Sequence, residues 1–77
     1  MIVLYISSAV AERIKKRTKE KNVTAKRMLA EVGLGVNTMS NMKTSMPTAD
    51  NLAKIADYLD CSVDYLLGRT DNPDINK

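Results

Sequence analysis

Hydrophobic and polar positions along the chain follow the 3.6-residue period of a helix. Ser7 and Ser8 offer N-cap hydroxyls after the apolar start Met1–Ile6. The Lys- and Arg-rich segment Ser8–Asn22 then carries a thin apolar stripe of Val10, Ala11 and Ile14, followed by Thr18. Asn22 suits the left-handed conformation that ends a helix. Thr24 caps a second helix with Met28, Leu29 and Val32 inside, and Gly33 closes it. Leu34 returns to the core, Gly35 leaves the next start unencumbered, and Val36–Lys43 is predicted as a third helix with Met39 and Met42 inward. Thr44 to Pro47 is a loop. Thr48 caps the most regular helix, with Leu52, Ile55, Ala56 and Leu59 on one face. Asp60-Cys61 breaks it, Ser62 caps a last helix over Val63–Leu67, and Gly68 closes that one. The expected organisation is an apolar extension (1–7), a five-helix domain (8–68) and a polar, frayed tail (69–77). The fold class is all-α, a compact five-helix bundle, with no repeat or β-hairpin signal.

Within it, Thr24 to Lys43 meets the requirements of a helix-turn-helix. Met28, Val32, Met39 and Met42 supply apolar inner faces, Gly33 the turn, and Leu34 the plug that follows. Polar residues fill the outward slots of the second helix. Methionines at such spacing are core filler first, with a binding role the minority reading.

Charge sharpens the picture. The net charge is +3, unevenly spread. Residues 1–47 hold nine basic side chains against Glu12, Glu20 and Glu31, a balance of +6, and the remainder holds three basic against six acidic, or −3. One half therefore suits a polyanion, although a run such as Arg13 to Lys21 also fits a merely solvated helix face.

Composition narrows the chemistry. The 77 residues make one small domain and include no His and a single Cys, Cys61. His-based catalysis, multi-Cys zinc sites and internal disulfides are disfavoured. With no Gly-rich phosphate loop and no paired catalytic carboxylates, no enzyme, metal or cofactor is expected. Asp57, Asp60 and Asp64 lack calcium-loop spacing and read as caps and surface charge. The lone thiol fits a reducing, cytoplasmic setting and a place at the junction of the last two helices. Met1–Ile6 is far shorter than the roughly 20 residues that span a bilayer, so no membrane is expected. Its sharper reading is a short segment docking on a second subunit.

The segments ERIKKRTKEKNVT, MLAEVGLGVNTMSNM, Pro47 and LAKIADYLDCSVDYLLG together resemble the Cro/phage-repressor type of helix-turn-helix regulators, often called the XRE family. The resemblance covers roughly Glu12 to Gly68. It implies a sequence-specific binder of double-stranded DNA, a small transcriptional regulator of repressor type, with its third helix in the major groove and a homodimer on a palindromic operator. The base-reading positions it implies are Val36, Asn37, Thr38, Ser40 and Asn41. Asn37 and Asn41 would pair adenine edges, and Val36 and the Thr38 methyl would pack on thymine methyls. Thr24, Lys26, Arg27, Lys43, Thr44 and Ser45 would hold phosphates, Thr24 together with the N-terminus of the second helix.

Four departures from the family pattern stand out, one of them a pair of positions. Ala25 and Val36 stand where polar residues often sit, and Leu29 stands where a small residue often lets the two helices approach. Thr18 and Lys43 replace an Arg–Glu pair, so no buried charge is orphaned and Lys43 is free to face phosphate. The weaker direct readout at Ala25 and Val36 leaves a second reading of the same fold, a protein-interaction module such as an antitoxin or anti-repressor with a protein partner.

Overall fold

A computed structural model of the chain describes residues 5–74, and over these the protein is all-α. Its helices are α1 (Ser7–Glu20), α2 (Ala25–Val32), α3 (Thr38–Asn41), α4 (Ala49–Tyr58) and α5 (Val63–Leu67). α1 packs on α2 and α5, and α4 on α2 and α5. The core between them is Val10, Ala11, Ile14, Met28, Leu29, Met42, Leu52, Ile55, Ala56, Leu59, Cys61, Tyr65 and Leu66. The stripes of α1 and α4 thus face inward as their spacing dictates. Burying each large aliphatic side chain contributes about 1.5–3 kcal/mol. Val32 is half-buried, and Met39 and Leu34 are half-buried against the core.

The helix ends follow local chemistry. Thr24 Oγ1 accepts from the Arg27 amide at 3.1 Å, and Ser62 Oγ accepts from the Tyr65 amide at 3.0 Å. Gly33 and Gly68 close α2 and α5 at φ 78° and 84°, where a Cβ is costly. Asn22 (φ 62°) and Asp60 (φ 53°) make the other two left-handed turns.

Three expectations are corrected. α1 starts at Ser7 with Ile6 as its N-cap, so neither Ser7 nor Ser8 caps it; the Ala9 and Val10 amides both bond the Ile6 carbonyl at 3.1 Å. The third helix is regular only over Thr38–Asn41, and Val36 and Asn37 form a turn before it. The cause is its composition: Thr38 Oγ1 donates to the Gly35 carbonyl at 2.6 Å, a side-chain bond that competes with helix continuation, and Asn, Ser and Thr crowd the segment. At its far end the Lys43 and Thr44 amides bond Ser40 and Asn41 in the tighter three-residue pattern.

The third correction concerns the tail, which is not frayed over 69–74. The Ser62 amide donates to the Pro73 carbonyl at 2.9 Å, the Arg69 amide to the Asp64 carbonyl at 2.9 Å, and an Arg69–Asp64 ion pair lies alongside. The docking segment Met1–Ile6 falls mostly outside the described residues; Tyr5 and Ile6 are exposed.

Candidate nucleic-acid interface

The turn between α2 and α3 is built by backbone bonds. The Gly33 amide donates to the Ala30 carbonyl at 3.3 Å and the Leu34 amide to the Leu29 carbonyl at 2.8 Å. Leu29, the bulky residue at the helix contact, is 2% exposed, so its side chain is absorbed by the core. Met42 at 1% anchors α3 from beneath. With these positions fixed inside, the remaining face of α3 and its preceding turn points outward.

On that face Val36 is the most exposed large apolar side chain among the described residues, at 76%. Asn37 sits at the N-cap of α3 with no side-chain capping bond, so its amide group is uncommitted. Ser40 and Asn41 are exposed. Thr38 is half-buried and its hydroxyl is committed to Gly35, which leaves the methyl as the group it can offer outward. Lys43, Thr44 and Ser45 are exposed on the chain leaving α3.

The N-terminus of α2 is electrostatically open. It has no acidic residue in its first turn and carries Lys26 and Arg27 there, both exposed. The first intrahelical bond runs from the Met28 amide to the Thr24 carbonyl at 3.0 Å, leaving the Ala25 and Lys26 amides for solvent or a ligand. Thr24 is exposed, but its hydroxyl already accepts the Arg27 amide. The Arg27 guanidinium leans along its helix to Glu31 at 3.6 Å, and Glu31 in turn accepts the Tyr58 hydroxyl of α4. That bond to Glu31 is the main reason the Tyr58 phenol is pushed above its usual range.

The N-terminus of α4 is different. Asp50 occupies its first turn, and the Thr48 side chain beside it holds the carboxyl below the usual carboxylate range. An ionised Asp50 already complements that helix end. A cleft of about 240 Å³ separates this end from α3, lined by Thr38, Asn41 and Ser45 on one side and by Met46, Thr48 and Asn51 on the other. Three of the expected contact residues therefore share one concavity. Met46, Thr48 and Asn51 join them there, and sequence reasoning did not single them out for contact. The signal for Asn51 is its place one turn into α4, directly after the Pro47 loop.

Arg17 was also unforeseen. Its Nε donates to the Leu59 carbonyl at 3.1 Å and Nη2 to the Asp60 carbonyl at 3.0 Å, so it ties α1 to the end of α4. Thr18 beside it is buried, with its hydroxyl donated to the Lys15 carbonyl at 2.7 Å. The buried Arg–Glu pair of the family pattern is thus absent, and a backbone tie one residue earlier links α1 to α4. Among the described residues no group of His, Cys, Asp and Glu side chains has the arrangement to hold a metal ion, and no helix is long and apolar enough to cross a membrane.

Comparison with known proteins identifies the family. Residues 13–72 match the Cro/C1-type HTH DNA-binding domain, a DNA-binding family and not an enzyme family. The chain is also similar to the cryptic phage CTXphi transcriptional repressor RstR of Vibrio cholerae serotype O1, 36% identical over 62 residues. That alignment covers 78% of this chain and 55% of the repressor, so the chain spans about half the length of its curated relative. No solved structure matches.

Proposed function

The chain belongs to the Cro/C1-type helix-turn-helix DNA-binding domain family, and on that premise we propose that it is a transcriptional repressor that binds a specific double-stranded operator as a homodimer in the cytoplasm. The observation that carries the reading is the outward face of α3 and its leading turn. Val36, Asn37, Ser40 and Asn41 are solvent-exposed there, between the acid-free N-terminus of α2 and Lys43. In the proposed complex α3 lies in the major groove. Asn37 and Asn41 offer the donor–acceptor pair that matches adenine N6/N7, and Val36 and the Thr38 methyl meet thymine methyls. Thr24, Lys26, Arg27, Lys43, Thr44 and Ser45 grip phosphates on either side and set the register. Arg27 would exchange its ion pair with Glu31 for a phosphate. The similarity to a phage repressor supports the regulatory role. A homodimer would place its two α3 helices about 34 Å apart, one turn of the duplex.

The test is titration of a fluorescent duplex at about 50 and 200 mM salt, where 6–10 phosphate contacts weaken binding roughly 10³–10⁵-fold. Binding with that salt dependence, followed by selection of one palindromic sequence and a stoichiometry of two chains per duplex, supports the proposal. No binding at low salt overturns it and leaves the protein-interaction module as the reading to pursue.

A further inference from the structure

The structure divides the basic run of α1 by what each side chain already holds. The Arg13 guanidinium lies against Gly68, and Arg17 holds the end of α4. Lys21 pairs with Asp60 at 3.7 Å and Lys15 with Glu12 at 3.8 Å. Among the described residues Lys16 and Lys19 have no carboxylate at ion-pairing distance, and both are exposed. They also share a place. A groove of about 450 Å³ runs from α1 to the N-terminus of α2, lined by Glu12, Lys15, Lys16 and Lys19 on one wall and by Thr24 and Ala25 on the other. Its one carboxylate, Glu12, is engaged by Lys15, so the groove is net positive and opens beside the helix end proposed above to hold a phosphate.

We propose that this α1–α2 groove is a second grip on the DNA backbone, in which Lys16 and Lys19 neutralise phosphates flanking the one at the N-terminus of α2. The inference rests on the DNA-binding reading and extends it to α1, which lies outside the helix-turn-helix. It assigns the two lysines affinity without sequence choice, because ammonium groups on flexible stems contact phosphate as point charges. The groove also lies where Ala25 deprives the helix end of a polar side chain, so the lysines offset a contact that residue cannot make.

The experiment measures log Kd against log salt on a random-sequence duplex for the wild-type chain, the double variant Lys16→Ala/Lys19→Ala, and the charge control Lys54→Ala on α4. Circular dichroism melts verify that all three are folded. The proposal expects the double variant to flatten the slope by about 0.9 per lysine, with Lys54→Ala leaving it unchanged. An unchanged slope in the double variant, or an equal flattening in Lys54→Ala, overturns it. If Lys43→Ala still weakens binding in that case, the DNA-binding reading survives and only the groove is wrong. A wild-type chain that binds no duplex at any salt overturns both.

Discussion

The Arg17 guanidinium caps α4 from another helix, donating to the Leu59 carbonyl at 3.1 Å across 42 residues of sequence. Its second bond, to Asp60, satisfies a carbonyl at the left-handed residue that ends the helix. Only 15% of the Arg17 side chain is exposed; the bond to Leu59 is partly buried, while the bond to Asp60 lies at the surface. Hydrogen bonds to a charged group are each worth about 1.5–3 kcal/mol, and Arg17→Ala loses both. The expected destabilisation is about 2–4 kcal/mol, which a urea titration reads directly. Arg17→Lys recovers part of it, since an ammonium reaches one carbonyl but lacks the fork. Equal stability of the wild-type and alanine chains would refute the capping role.

Arg17 also marks the limit of what was legible in the sequence. The helix count, Gly33, Leu34, Met42 and the Leu52–Leu59 face were readable because side-chain type alone determines burial or a left-handed turn. Within a run of Lys and Arg every residue has the same solvated reading, and what separates Arg17 from Lys16 is a pair of backbone carbonyls that no residue type announces. The tail was misread for the same reason, because the Ser62 amide meets the Pro73 carbonyl through backbone groups common to all residues. The candidate interface was not legible as a surface. Thr38, Asn41 and Ser45 were named from the motif, whereas Asn51 joins their cleft only when α4 is folded beside them.

Gly33 and Gly68 separate backbone strain from crowding. Both are left-handed, but a Cβ at Gly33 meets nothing within 4 Å, whereas at Gly68 it falls 2.5 Å from the Arg13 guanidinium. A left-handed conformation costs an alanine roughly 1–2 kcal/mol, and the tip of Arg13 can swing away. Gly33→Ala and Gly68→Ala should therefore lose similar stability, about 1–2 kcal/mol each. A loss at Gly68 more than twice that at Gly33 would show that Arg13 is held in place. The double variant Arg13→Ala/Gly68→Ala would then relieve the excess.

Asn41 and Lys43 are predicted to fail in different ways. In the proposed complex Asn41→Ala removes a bidentate base contact worth about 1–3 kcal/mol, so affinity for the selected operator is expected to fall roughly 5- to 150-fold. Binding to random duplex is unchanged, and one operator position becomes permissive. Lys43→Ala weakens both duplexes alike and lowers the salt slope by about 1. Competition binding with operator and random DNA distinguishes them, and an Asn41 variant that weakens both equally would remove it from base readout.

Cys61 gives the chain a pH signature. It is 1% exposed, and burial pushes its thiol above the ordinary value of 9.0, with the Arg17 guanidinium pulling the other way. A thiol that ionises later in the folded chain than in the unfolded one contributes stability that is complete below 9.0 and fades as pH rises through the folded value. Urea melts from about pH 7 to 10.5 should show wild-type stability falling faster above pH 9 than that of Cys61→Ala. Tyr58 titrates in the same alkaline range but is present in both chains, so the difference between them isolates the thiol. The same burial predicts slow reaction of the native thiol with an aromatic disulfide reagent at pH 8 and full reaction once urea unfolds the chain. Parallel pH profiles, or rapid labelling of the folded protein, would place the thiol at the surface instead.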